Sequence, residues 1–153
     1  MTREDNLFDL NLSYYLELSF ARVTGRLDYA ITAIILLSSC SAFAWLAGTR
    51  IFAVIIAILT VIQLVYQFGK KSGGAQEQAR RYQQLILNAS RLSADELHQQ
   101  RLDIEKNDSD AWSVLHPAAY KRAALVLGLE DQTQPLTKFE WIFSFIGGNL
   151  PKR

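Results

Sequence analysis

The chain has a single cysteine, Cys40, among its 153 residues, so neither a disulfide framework nor a cysteine-based metal cluster can be built. Histidine is nearly as scarce: His98 and His116 are the only two, and neither has a partner at metal-ligand spacing. No Gly-x-Ser-x-Gly elbow occurs. Carboxylate pairs such as Asp95-Glu96 and Glu130-Asp131 suit helix starts and loops better than acid-base work. These shortages argue against an enzyme and against a bound cofactor. A dominant charge is missing too, since the formal net charge is +1, which argues against a dedicated nucleic-acid binder. There is no internal repeat, low-complexity tract or strand-like alternation.

What the chain does have is two long stretches without a charged side chain, residues 29–49 and 51–69, separated only by Arg50. At a rise of about 1.5 Å per residue each reaches roughly 30 Å, the thickness of a hydrocarbon core. A backbone in lipid must close its hydrogen bonds internally, which selects helices. The expectation is an all-α membrane protein with an N-terminal amphipathic helix over 1–28, a transmembrane hairpin over 29–69 turning at Gly48 and Thr49, and cytoplasmic helices over 70–153. A cleaved signal is the competing reading of the first stretch, because Ala42-Phe43-Ala44 resembles a cleavage site. Twenty-eight preceding residues and an immediate second span count against it. Arg22 and Arg26 flank the first span and Lys70, Lys71, Arg80 and Arg81 follow the second, so the positive-inside bias puts both termini in the cytoplasm. Tyr29, Tyr66 and Trp45 suit interfacial positions.

Residues 1–11 read as a loosely held terminus or one short turn. From there Leu12, Leu16, Phe20, Val23 and Leu27 form a helical stripe that Asp9 or Asn11 could cap. In the first span, Ser38, Ser41, Ala42 and Trp45 share a face on which small residues let helices approach. In the second span, Thr60, Gln63 and Gln67 share a face. Amides at membrane depth are costly unless paired or wetted, so this stripe is either glue between helices or the lining of a water-filled path. Gly73-Gly74 suggests a flexible joint at the membrane exit, and the preceding Lys70-Lys71-Ser72 lacks the phosphate-loop order. Helical spacing resumes over Ala75, Ala79, Tyr82, Leu85, Ala89 and Leu92. Ser93 with Glu96 signals a capping box, Asn107-Asp108-Ser109-Asp110 a loop, His116-Pro117 a helix start and Gly128 its end. Gln132, Gln134 and Pro135 mark another break. The tail, with Phe139, Trp141, Ile142, Phe143, Phe145 and Ile146, is too short to span a bilayer and is expected to dock on the other helices or on a neighbouring subunit, with a membrane-interface helix as the alternative.

Two spans cannot enclose a conducting path alone, so a channel requires a homo-oligomer with Thr60, Gln63 and Gln67 as candidate lining. Lys70, Lys71, Arg80, Arg81 and Arg91 are candidate contacts for an anionic ligand or for lipid head groups. The layout of lead-in helix, tight hairpin and following helix resembles the SLATT domains. The segment 110–124, with Asp110, Trp112, Leu115, His116-Pro117 and an alanine-rich run, looks like that family's late pattern. The resemblance covers residues 12 to about 130. It implies a pore-forming effector of bacterial antiphage defence in the inner membrane, controlled by a nucleotide or oligonucleotide signal or by a partner such as a nucleotidyltransferase encoded nearby. The alternative is a non-conducting anchor that recruits a cytoplasmic partner.

Overall fold

The computed structural model describes residues 2–38, 50–130 and 134–150, and every regular element among them is a helix. Cys40, Ser41, Ala42, Trp45, the Gly48-Thr49 turn and Gln132 lie outside the described residues. The order is α1 (Arg3–Ser38), α2 (Arg50–Tyr66), α3 (Phe68–Asn88) with a 3-10 turn (Ala89–Arg91), α4 (Ala94–Glu105), a second 3-10 turn (Ser113–Leu115), α5 (His116–Val126) and α6 (Lys138–Ile146).

α1 runs unbroken for 36 residues, about 54 Å at helical rise. It starts earlier than the apolar stripe suggested. The Thr2 hydroxyl accepts the Asp5 N–H at 3.1 Å and the Asp5 carboxylate accepts the Thr2 N–H at 2.9 Å, a reciprocal cap that makes residues 3–11 helical. Asp9 and Asn11 are therefore not caps. Asp9 pairs with Arg101 at 2.9 Å, and the Asn11 amide donates to the Leu7 carbonyl.

α2 and α3 form a nearly continuous rod antiparallel to α1. The Ala21 carbonyl accepts from the Ser72 hydroxyl at 2.7 Å, Leu10 packs with Tyr82 and Leu85, and the Arg3 guanidinium donates to the Ala89 carbonyl at 2.6 Å. The break in the rod falls at Gln67, whose φ of 48° and ψ of 49° are left-handed, an uncommon state for a side chain with a Cβ. Hydrogen bonds from Gln67 N–H to the Gln63 carbonyl and from Lys71 N–H to the Gln67 carbonyl still bridge it. The joint expected at Gly73-Gly74 is not there; both glycines are inside α3 and face open space.

The two halves of the paired helices differ. Over residues 3–28 of α1 and along α3, the pair is packed against α4, α5 and α6. One apolar core joins Leu10, Tyr82, Leu85, Ala89 and Leu97, and a second joins Phe20, Ala21, Val23, Ala75 and Leu115. Residues 3–28 are therefore part of the same bundle as 70–130, and α1 crosses residue 28 without interruption. Beyond it the described parts of α1 and α2 are not covered by the other helices, and Tyr29, Leu36, Val54, Ile58, Leu64 and Val65 are among their exposed apolar side chains. The rod from Ala53 to Arg91 is the one helix among the described residues long and apolar enough to cross a membrane, with mean hydropathy 1.7 over its most apolar stretch.

The caps read from the sequence hold at Ser93–Glu96, where both reciprocal bonds form, at Pro117 in the first turn of α5, and at Gly128 with φ +68°. α6 carries a further capping box, Thr137 with Glu140. It docks through Phe143 and Ile146 onto Phe20, Val23 and Trp112, while Phe139, Trp141, Ile142 and Phe145 face outward. Arg22 reaches the Gly147 and Gly148 carbonyls and Arg26 the Ile146 carbonyl, the groups a helix C-terminus leaves unpaired.

The glycines separate into two kinds. A Cβ on Gly25 would lie 2.8 Å from the Ser72 hydroxyl, whereas one on Gly73 would meet nothing. Gly25→Val is expected to destabilise the bundle by about 1–3 kcal/mol. Gly73→Ala is expected to stabilise it by about 0.5–1 kcal/mol through helix propensity. Thermal unfolding of both variants in the same detergent checks the opposite signs.

Candidate functional site

At the foot of the bare end, the three polar residues of the second span share one outward groove of about 340 Å³, together with Leu64. Their roles diverge. The Gln63 amide donates to the Thr32 hydroxyl at 2.6 Å and to the Asp28 carboxylate at 3.3 Å, clamping α2 to α1. Thr60 turns its hydroxyl back on the Ile56 carbonyl of its own helix at 2.8 Å. Gln67 is exposed at the left-handed break. Gln63 is thus glue within the hairpin, whereas Thr60 and Gln67 remain on the outside.

The five basic candidates do not converge. Lys70 and Lys71 stand beside the Gln67 break and help to line a cavity of about 490 Å³. Arg80 and Arg81 lie along α3 and make exposed, weak ion pairs with Glu77 at 3.9 and 3.8 Å. Arg91 is roughly 30 Å from Lys70 along the helix axis. Only the lysine pair belongs to a concave site. Its opposite wall is the 108–110 loop, and Phe20 and Tyr66 add aromatic surface. The Lys71 ammonium rests 4.3 Å from the centre of the Tyr66 ring.

The loop is held by a polar network inside the bundle. Both Asp108 oxygens accept from the Tyr82 hydroxyl, at 2.8 and 2.9 Å, and Oδ1 also accepts from the Gln78 amide at 2.8 Å. Gln78 donates to the Ile104 carbonyl as well, tying the end of α4 to the same point. Glu17, only 2% exposed, accepts the Ser109 N–H at 2.7 Å through Oε1, while its Oε2 is buried with no hydrogen-bond partner. Burial pushes the Glu17 carboxyl above the ordinary glutamate range, with Asp108 adding a smaller push in the same direction. Burial and the Asp108 carboxylate likewise raise the Tyr82 phenol, so it stays a donor.

Sequence reasoning missed Glu17, Gln78, Tyr82 and Asp108 as a unit. Glu17 lies off the leucine stripe, and the buried face of α1 is instead centred on Leu10, Glu17 and Thr24, spaced by seven. The available signal was the pairing of Gln78 with Tyr82, four apart on the inner face of α3.

Among the described residues these features define an all-helical fold with one helix long and apolar enough to cross a membrane and a charged cavity at its foot. No protein-family model, curated protein or solved structure matches the chain.

Because the folded state holds the Glu17 proton more tightly than the unfolded chain does, the wild-type bundle loses stability as pH rises from the ordinary glutamate range through the raised value. Glu17→Gln keeps the acceptor for Ser109 and removes the buried charge. It is expected to unfold at a higher temperature than wild type at neutral pH, and the difference should vanish at a pH below the ordinary glutamate range. Melting curves across pH check both parts.

Proposed function

We propose that the chain is an integral protein of the bacterial inner membrane whose segments 29–49 and 51–69 form a transmembrane hairpin with both termini cytoplasmic. Copies of it assemble into a pore that the cytoplasmic bundle gates. The observation that carries this reading is the outward groove at Thr60 and Gln67, set in an arm whose exposed surface is otherwise largely apolar. The Thr60 hydroxyl is satisfied by the Ile56 carbonyl of its own helix, but lipid offers the Gln67 amide no hydrogen bond, whereas neighbouring copies and enclosed water do. The hairpin cannot enclose a path alone, so the polar face and the need for an oligomer point the same way. Gating from below is supported by the charged cavity, which joins the foot of α2 to the 108–110 loop of the bundle.

The resemblance to SLATT effectors supplies the biological setting: depolarisation of an infected cell's membrane on a nucleotide or partner signal. It rests on the hairpin layout and on the 110–124 pattern. A second reading, a non-conducting anchor, draws support from Gln63, which is consumed within the hairpin, and from the outward aromatic face of α6, which offers a partner a docking surface.

Ion flux through liposomes that contain the purified protein separates the two. The pore reading expects flux that the double variant Thr60→Val, Gln67→Leu reduces to the protein-free background, with the oligomer intact by crosslinking. Gln63→Leu should instead weaken the α1–α2 clamp and lower thermal stability. Unchanged flux in the double variant rejects the groove as lining, and no flux from inserted wild type favours the anchor.

A further inference from the structure

The cavity beside Lys70 and Lys71 has a property that an anion site would not have: its two walls carry opposite charge. Lys70 and Lys71 project from the first turn of α3, and Asp108 and Asp110 face them from the loop. None of the ion pairs among the described residues joins these lysines to these carboxylates, so the charges confront one another across open space rather than neutralising in contact. Each wall has one charged side chain held in place. Lys71 lies over the Tyr66 ring, and Asp108 is held by Tyr82 and Gln78. A polyanion such as a nucleoside triphosphate would gain the lysines but meet both carboxylates, a poor exchange.

The complementary ligand is dipolar, with a phosphate ester for the lysines and a primary ammonium for the aspartates. The site's position narrows the source. Val65 and Tyr66, the last residues of α2, form its upper edge, so the cavity opens where the membrane-crossing helix leaves the apolar arm. On the membrane reading above, on which this inference rests, that edge lies at the level of lipid head groups. We infer that the cavity between Lys70–Lys71 and Asp108–Asp110 binds the head group of an aminophospholipid, its phosphate on the lysines and its ammonium on Asp110 and Asp108, with the acyl chains running up beside Val65. A lipid seated there would link the foot of α2 to the loop that Glu17 and Tyr82 hold in the bundle.

The test uses the full chain in liposomes of equal phosphatidylethanolamine, phosphatidylglycerol and phosphatidylcholine. Resistance to alkaline extraction is scored first, then mild detergent extraction and native mass spectrometry of the retained lipid. The expected result is phosphatidylethanolamine enriched about fivefold over both others, because phosphatidylglycerol lacks the ammonium and the quaternary head group of phosphatidylcholine cannot donate hydrogen bonds. Asp110→Asn and the pair Lys70→Gln, Lys71→Gln should each erase that enrichment at unchanged helicity. Soluble glycerophosphoethanolamine should displace the lipid only in large excess. Equal or greater retention of phosphatidylglycerol, enrichment unmoved by both variants, tight binding of the soluble ester without lipid, or ATP held in the lipid's place would each overturn the inference. Protein that alkali strips from the liposomes overturns the membrane reading itself, whereas inserted protein without enrichment overturns the lipid site alone.

Discussion

The close seam between α1 and α3 is the constraint on which everything else in the molecule depends. Gly25 admits Ser72, Ser72 bonds the Ala21 carbonyl, and Ala75 and Ala79 continue the line of small buried side chains. With so little side chain between them the two backbones run together, and packing can be dense without large residues. The seam does not end with the bundle. Gln63 carries it into the bare arm by bonding Thr32 and Asp28. One continuous contact therefore ties the bundle to the apolar arm that we propose crosses the membrane.

The polar interior of the bundle serves the same linkage. A core that held only Leu10, Leu97 and Leu115 would be indifferent to the position of the 108–110 loop. Instead Tyr82 and Gln78 fix Asp108, and Glu17 fixes the Ser109 amide. The cost is a buried carboxyl with an unpartnered oxygen, of the kind usually retained for what it positions rather than for its own stability. α6 is secured differently, by Phe143 and Ile146 in the core and by Arg22 and Arg26 on its terminal carbonyls. Those two arginines thus serve in the bundle as well as in the charge bias on which the proposed topology rests.

Much of the architecture was legible before any coordinates. Apolar length gave α2, spacing gave α1 and α3, and local chemistry at Ser93, Pro117 and Gly128 gave the later boundaries, because caps and positive-φ glycines act within a few residues. The misreadings share one cause. Asp9, Glu17 and Gly73 were judged by residue type, and their roles were decided by partners some 90 residues away or by the lack of any, while Asn11 turned back on the Leu7 carbonyl of its own helix. Asp9 meets Arg101 and Glu17 meets Ser109, pairings that no local window contains. The candidate site was readable only in part for the same reason. The lysines could be picked out beside an apolar span, but the opposing carboxylates come from a loop that looks like ordinary polar punctuation.

The central claim is that the arm crosses the bilayer as a hairpin with the bundle inside, and accessibility of single cysteines tests it most directly. With Cys40→Ala as background, Thr49→Cys, Thr2→Cys and Gln83→Cys are each exposed in spheroplasts to a membrane-impermeant maleimide. The account predicts labelling of Thr49→Cys from outside, and labelling of the other two only after the membrane is permeabilised. A Thr49→Cys protein that stays unlabelled until permeabilisation, or external labelling at position 2 or 83, would contradict it.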